Sequence, residues 1–509
     1  MDSLAAQEEE LAPLPNRIAR VHHSFFQKNG IVPLGLKEDP PTLVVAVCEE
    51  EDIANSDILS VFSSMPVEKR YVPKKEFLEY LGAFKEEQGR EVVIGVVEDL
   101  GENSLTEIAQ EIPSGHDLLD DAANEPPIIK LVNLLFSIAV KDRASDIHIQ
   151  PLERDLRVRY RIDGLLYDTY TPPKRAQNAI VSRIKVMAGL DVAEKRLPQD
   201  GRIKVRVSEK EIDVRVSIIP SAFGEQVVMR LLDRGGALID LHSVGMNPQL
   251  EKTMVSLISR PQGVFLVTGP TGSGKTTTLY GVLQYINTAE KNILTVEDPV
   301  EYILDGIGQI QVNPKIQLDF ARALRSFLRQ DPDVIMVGEV RDEETARIAI
   351  QAALTGHLVF STLHTNDSAS ALTRLIDMGI EPYLLTSSIT AILAQRLVRR
   401  ICPNCREIYD PTPFERKLLE EYGKGGNSVV YKGKGCPECL NTGYLGRIGI
   451  FELLTLNTKL RQMVQEKASS EEIKAEAVKD GMVTLRQDGI NRVLVGGTSL
   501  SEILRVTIE

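Results

Sequence analysis

Residues 269–276 read Gly-Pro-Thr-Gly-Ser-Gly-Lys-Thr, and few octapeptides restrict a fold so tightly. Gly269 and Gly274 enclose four residues and Lys275 and Thr276 follow, the spacing of a phosphate-binding loop. With glycine at about 7% of residues, the bare pattern arises by chance in roughly one chain in fifty of this length. Its flanks sharpen it. Residues 263–269, Gly-Val-Phe-Leu-Val-Thr-Gly, read as a buried strand, and residues 277–285 read as a helix. Strand, glycine loop and helix is the order a parallel α/β sheet supplies. The glycines let backbone N–H groups turn inward, and the helix start adds partial positive charge. The expected cradle for a triphosphate is Gly269, Pro270, Thr271, Gly272, Ser273, Gly274, Lys275, Thr276 and Thr277. Lys275 would reach the β- and γ-phosphates, and the Thr276 hydroxyl would ligate Mg2+.

Bulk properties narrow the class. A chain of 509 residues suggests three or four domains, and 43% hydrophobic residues suffice for substantial cores. Net charge is −13, from 59 basic and 72 acidic residues, which argues against a general nucleic-acid binder. No run reaches the roughly 18 apolar residues of a membrane span. The most apolar stretch, residues 131–140, reads as a buried helix. The acidic N-terminus lacks a signal-peptide pattern. A cytoplasmic location is therefore expected, with membrane association only through a partner or a surface patch.

Along the chain, residues 1–100 read as a small α/β domain, with strands at 42–48 and 91–97 and helices around 18–28, 53–63 and 74–84. Cys48 falls in the first strand as core. Residues 101–126 read as a linker. An α+β domain follows over 127–234. Its helix covers 128–142, and alternating strands cover 144–150, 156–162, 202–207 and 211–219. Asp163-Gly164 supplies a hairpin turn. A flexible hinge is expected near 234–246. The nucleotide-binding core spans 235–395, a cysteine module 396–450 and a helical region 451–509.

Two further strands of the core end in acids. Residues 292–301, Asn-Ile-Leu-Thr-Val-Glu-Asp-Pro-Val-Glu, bring Glu297, Asp298 and Glu301 to a strand's carboxyl end, where open α/β sheets bind ligands. Residues 333–339, Asp-Val-Ile-Met-Val-Gly-Glu, end in Glu339, placed to orient a water for in-line attack on a γ-phosphate or to hold Mg2+ through its water shell. Residues 354–367 form another strand segment, with His357 before it and His364 after it. A histidine there could sense the γ-phosphate by hydrogen bonding.

Cys402-Pro-Asn-Cys405 and Cys436-Pro-Glu-Cys439 are two paired-cysteine knuckles. In a reducing compartment they predict a tetrahedral Zn2+ site rather than disulfides. Arg396, Arg399, Arg400, Arg406, Lys432 and Lys434 lie close by in sequence. With little aromatic interleaving for base stacking, they suit a protein or lipid-headgroup contact, or solvent.

These segments, in this order, resemble the secretion ATPase superfamily. The residues carrying the resemblance are the phosphate loop, 292–301, 324–333 leading into 333–339, and 354–367. In the α+β domain they are 143–148, 196–202 and 213–217. The resemblance covers about residues 127–509. It implies a RecA-like ATPase core preceded by a PAS-like α+β domain and a homo-hexameric ring. It also implies that Arg202 and Arg215 approach the phosphates, where a guanidinium can meet charge developing on the phosphoryl oxygens. The cysteine module is similar to that of type II secretion and type IV pilus assembly ATPases, and the chain length leans toward the former. ATP, Mg2+ and Zn2+ are the implied ligands. Inner-membrane secretion proteins are the implied partners of the N-terminal domain and ring, with acidic phospholipid headgroups a further candidate and no nucleic acid. Glu339, Glu297, Lys275, Arg202, Arg215 and His364 are the expected catalytic set. A DNA-translocating motor and a non-hydrolysing scaffold remain alternatives from other classes.

Overall fold

The computed structural model describes residues 31–38, 41–48, 65–78, 80–81, 127–172, 174–207, 210–233, 241–422 and 429–507. The expected strand at 91–97, the helices around 18–28 and 53–63 and the 101–126 linker lie outside them. The chain divides into two compact units, one of Met1–Ile162 and Leu166–Leu231, the other of Asp163–Leu165 and Leu232–Glu509.

The first unit opens with β1 (Ile31–Glu38), β2 (Pro41–Val47) and β3 (Val67–Tyr71). β1 and β2 are antiparallel, and β2 and β3 are parallel. The apolar run of β2, from Leu43 to Val47, is buried throughout, and Cys48 packs at the margin of that small core. Then come α1 (Pro127–Lys141), β4 (Ala144–Pro151), β5 (Leu156–Ile162), β6 (Leu165–Tyr170), α2 (Gln177–Met187), β7 (Gln199–Val207), β8 (Lys210–Ser221) and β9 (Gly224–Asp233). The six strands form one sheet in the order β6-β5-β4-β9-β8-β7. Their period-two pattern puts Ile147, Ile149, Val158, Tyr160, Val214 and Val216 in one core with Leu131, Leu135 and Phe136 of α1 and Ile180 and Ile184 of α2. Asp163 and Gly164 turn β5 into β6 with φ of 49° and 89°, the left-handed pair that a tight hairpin needs.

In the second unit, α3 (Pro248–Ile258) precedes β10 (Gly263–Thr268), α4 (Lys275–Ile286), β11 (Ile293–Glu297), β12 (Gly308–Gln311), α5 (Phe320–Phe327), β13 (Val334–Val337), α6 (Glu343–Leu354), β14 (Leu358–Leu363), α7 (Ser368–Asp377) and α8 (Pro382–Ser388). These lead into β15 (Ile389–Ile401), β16 (Arg406–Tyr409), α9 (Pro413–Glu421), β17 (Val430–Gly433) and β18 (Tyr444–Thr455). The chain closes on α10 (Thr458–Gln465), α11 (Ser470–Lys479), α12 (Leu485–Leu494) and α13 (Leu500–Val506). Seven strands form the main sheet, in the order β12-β11-β13-β14-β10-β15-β18. All neighbours are parallel except β15 and β18. β10, β13 and β14 are buried along their whole length, as strands covered on both faces must be. Val264 and Leu266 face one core, with α5, α6 and α7. Phe265 and Val267 face the other, with α3 and α4.

Regular structure runs through two of the expected boundaries. Positions 396 and 450, expected as the limits of a cysteine module, lie inside β15 and β18, so the module is the far end of a long hairpin belonging to the sheet. Leu241 and Met246, assigned to the hinge, are buried in the core beneath α4. The Gly245 carbonyl is held by Arg492. Among the described residues, no helix is long and apolar enough to cross a membrane.

Candidate functional site

Two glycines of the loop between β10 and α4, Gly269 and Gly274, have no room for a side chain. Gly274, the residue before α4, has φ 84°, and a Cβ there would lie 2.9 Å from Gln395 Nε2. A Cβ on Gly269 would lie 2.5 Å from the Gln395 carbonyl oxygen. Lys275 is buried, and its Nζ donates to the carbonyls of Gly269 at 2.8 Å and Pro270 at 3.2 Å. Burial pushes its pKa down to about 8. Glu339 opposes that shift and Arg396 adds to it. Lys275, Glu339 and Arg396 therefore share one electrostatic environment. A buried ammonium whose hydrogen-bond partners are the loop's neutral carbonyls suits a polyanion. The Thr276 side chain is exposed at the start of α4.

Glu339 follows β13, whose end is fixed by its neighbours. Ser361 Oγ donates to the Val337 carbonyl at 2.8 Å, Thr362 Oγ1 to that of Gly338 at 2.6 Å, and the Gly338 N–H to that of Val296 at 2.8 Å. The Glu339 carboxylate pairs with Arg341 and lies 3.3 Å from His364 Nε2. Arg341 also approaches Asp298, at 3.9 Å. The loop bearing His364 is tied to the phosphate-loop strand: Thr365 N–H donates to Thr268 Oγ1 at 3.0 Å, and the two hydroxyls lie 2.7 Å apart. His357 sits at the opposite end of β14. Its Nδ1 lies 2.8 Å from the Ala352 carbonyl, which makes it a partner for the end of α6 rather than part of this cluster.

Glu297 differs from the expectation of an open strand-end acid. It is 3% exposed. Its carboxylate accepts hydrogen bonds from Tyr280, from Thr295 Oγ1 at 2.6 Å and from Gln309 Nε2 at 3.1 Å. Tyr280 belongs to α4, so Glu297 braces the helix that follows the loop. The more exposed carboxylate at this strand end is that of Asp298.

Arg202 and Arg215 belong to the other unit. They are direct cross-strand partners on β7 and β8. Their neighbours Ile203, Val214 and Val216 point into the core, so both arginines stand on the opposite face.

The four cysteines converge. Their sulfurs all lie within 4.8 Å of one another. Separations are 3.8 Å for Cys402 and Cys436, 3.9 Å for Cys405 and Cys439, and 3.7 Å for Cys436 and Cys439. A tetrahedron with metal–sulfur bonds of about 2.3 Å has edges of about 3.8 Å. Backbone N–H groups of Gly435 and Gly443 point at the sulfurs of Cys405 and Cys439, both at 3.3 Å, contacts that would favour thiolates.

The sequence does not single out Gln395 or Arg341, and it groups Arg396 with the basic residues near the cysteines rather than with this site. Gln395 is 1% exposed on β15 and bridges the Ser273 carbonyl and Thr278 Oγ1. Arg396 Nη2 donates to the carbonyl and side-chain oxygens of Asn366, at 3.0 and 3.1 Å. The run Ile-Leu-Ala-Gln-Arg-Leu-Val carries no motif, and only the pairing of β15 with β10 brings it to the loop.

Residues 121–505 match the family model described as Type II/IV secretion system protein. The chain is 51% identical over 416 residues to the Type II secretion system ATPase E of Vibrio cholerae serotype O1, across 81% of this chain and 82% of that one. It is 46% identical over 509 residues to the Type II secretion system protein E of Aeromonas hydrophila, across 99% and 100%. The Type IV pilus assembly ATPase PilB of Myxococcus xanthus is 44% identical over 495 residues, across 96% and 86%. Among solved structures, the pilus retraction motor PilT with bound ADP aligns with a TM-score of 0.50 at 26% identity, over 74% of this chain and 96% of that one. The Legionella pneumophila ATPase DotB aligns at 0.55 and 20% identity, over 78% and 98%, a likeness of fold.

Proposed function

This chain belongs to the Type II/IV secretion system protein family and is an ATP-hydrolysing enzyme of type II secretion, and we propose that it drives pseudopilus assembly as a six-membered ring beneath the bacterial inner membrane. The observation that carries the catalytic reading is the meeting of three strand ends at one loop: Lys275 after β10, Glu339 after β13 and His364 after β14.

In this reading the loop N–H groups and Lys275 hold the β- and γ-phosphates of ATP. Thr276 is placed to hold Mg2+, which supplies neutralisation of the phosphate charge. Glu339 accepts a hydrogen bond from the attacking water and fixes its line of approach. His364 stands beside that carboxylate, positioned to donate to the phosphoryl oxygens. Glu297 acts through Tyr280 as a brace for α4. Arg202 and Arg215, side by side on a domain of PAS-like character, supply guanidinium charge when that domain closes on a nucleotide. The four cysteines hold Zn2+. Residues 1–100 dock to an inner-membrane secretion protein, and anionic headgroups are a candidate contact for the basic residues around the cysteines. The kinship with PilB supports a second reading, extension of a type IV pilus by the same chemistry.

Glu339→Gln tests the assignment. Binding of Mg-ATP should persist while steady-state phosphate release falls at least a hundredfold. Unchanged turnover would remove Glu339 from the mechanism.

A further inference from the structure

We infer that Gln395 is a positioning residue that aims the phosphate loop, an inference resting on the nucleotide-binding reading of that loop. Gln395 lies on β15, outside the phosphate loop and the other motif segments named above, and it touches the loop from behind.

Both ends of its amide are engaged. Nε2 donates to the Ser273 carbonyl at 2.9 Å, and Oε1 accepts from Thr278 Oγ1 at 2.7 Å. The hydroxyl partner, which itself donates, and the carbonyl partner, which can only accept, together fix which end of the amide is which. Ser273 and Gly274 share one peptide plane, and in a trans peptide the carbonyl and the N–H point in opposite directions. Holding the Ser273 oxygen outward against Gln395 therefore turns the Gly274 N–H inward, toward the concave side of the loop where anion-binding N–H groups converge. Gly274 is also where a side chain would strike the same amide, with 2.9 Å from a Cβ to Nε2. Glycine and glutamine thus fit each other at this one contact. The second bond, to Thr278 in the first turn of α4, keeps the amide in the plane that serves Ser273.

The two bonds have different duties, and that makes the inference testable. The bond to Ser273 sets an N–H direction. The bond to Thr278 only steadies the amide. Three variants of the full chain separate them. Gln395→Met keeps the shape and removes both bonds. Gln395→Glu keeps the acceptor for Thr278 and lacks a proton for Ser273 when ionised. Thr278→Ala removes the steadying bond alone. The probe is a fluorescent ATP analogue with Mg2+, followed by anisotropy, with the thermal midpoint of each nucleotide-free variant measured alongside.

Gln395→Met and Gln395→Glu should each raise Kd tenfold or more, about 1.4 kcal/mol. Thr278→Ala should raise it less than threefold, even if its thermal midpoint falls as far as that of Gln395→Met. A merely structural role would instead make Kd track the thermal midpoint across all three, and that result overturns the inference. So does a Gln395→Met Kd within twofold of wild type. A wild type that fails to bind, or a Lys275→Ala variant that binds equally well, would instead refute the nucleotide reading of the loop.

Discussion

Raising the pH from 7 to 9 should weaken Mg-ATP binding about tenfold, through one side chain. Lys275 is buried, which brings its pKa from an ordinary 10.5 down to about 8 in the nucleotide-free site. Phosphate oxygens favour the ammonium form, so the bound site keeps its proton well above that value. Binding above pH 8 therefore requires proton uptake. The affinity penalty is a factor of one plus ten to the power of pH minus 8, roughly 1.1 at pH 7 and roughly 11 at pH 9, or about 1.4 kcal/mol. The ATP phosphates add no comparable trend, since a terminal phosphate with a pKa near 6 is ionised throughout this range. Anisotropy at constant ionic strength measures the Kd. Calorimetry at pH 9 in buffers of different ionisation enthalpy counts the proton, with close to one taken up per site. Lys275→Arg, whose guanidinium stays charged, should lose the pH trend. A wild-type Kd flat from pH 7 to 9 with no proton uptake would refute the reasoning. The linkage also acts on the fold. Between about 8 and 10.5 the unfolded chain holds a proton that the folded nucleotide-free chain lacks, so this group's contribution to stability rises with pH across that window.

Two further outcomes follow from Glu502 and from the cysteine cluster. Glu502 is buried, and despite the burial that opposes it, hydrogen bonds from Arg505 and Arg399 hold its pKa at about 2. Glu502→Ala leaves Arg399 largely buried without its carboxylate and should cost about 3–5 kcal/mol by denaturant unfolding. The wild-type contribution is present above the ordinary carboxylate range and is lost as pH falls toward 2, so a variant as stable as wild type at pH 7 would contradict this. Metal analysis should find one Zn2+ per chain, and Cys436→Ser should lower that content and the thermal midpoint together, because apparent zinc energies of about 10–16 kcal/mol are folding energy.

What could be read in advance was whatever local chemistry dictates. The glycine loop, the buried run of β10 and the Asp163-Gly164 turn are written in short stretches, because backbone geometry and strand alternation act over a few residues. The acids after β11 and β13 were legible as strand-end groups, yet residue type could not tell a braced carboxylate from an open one. Only Tyr280 and Gln309, 17 and 12 residues away, decide that for Glu297. β15 escaped notice because Ile-Leu-Ala-Gln-Arg-Leu suits a helix by propensity, and its place between β10 and β18 overrides that preference. The limits drawn around the cysteines fall within strands for the same reason: a composition change marks where loops begin, and here the strands run on through it.

β15 and β18 are joined at their far ends by a knot of four sulfurs and enter the ATP-binding sheet at their near ends. Side chains on a strand alternate between faces, so a slide of β15 by a single residue would withdraw Gln395 and offer Ala394 or Arg396 to the Ser273 carbonyl in its place. Cys402 begins where β15 stops, one residue past Ile401, which pairs with Tyr444. The cysteine cluster is therefore a pin through two rails: it fastens β15 to β18 at one end, while pairing with β10 sets which amide meets the nucleotide loop at the other.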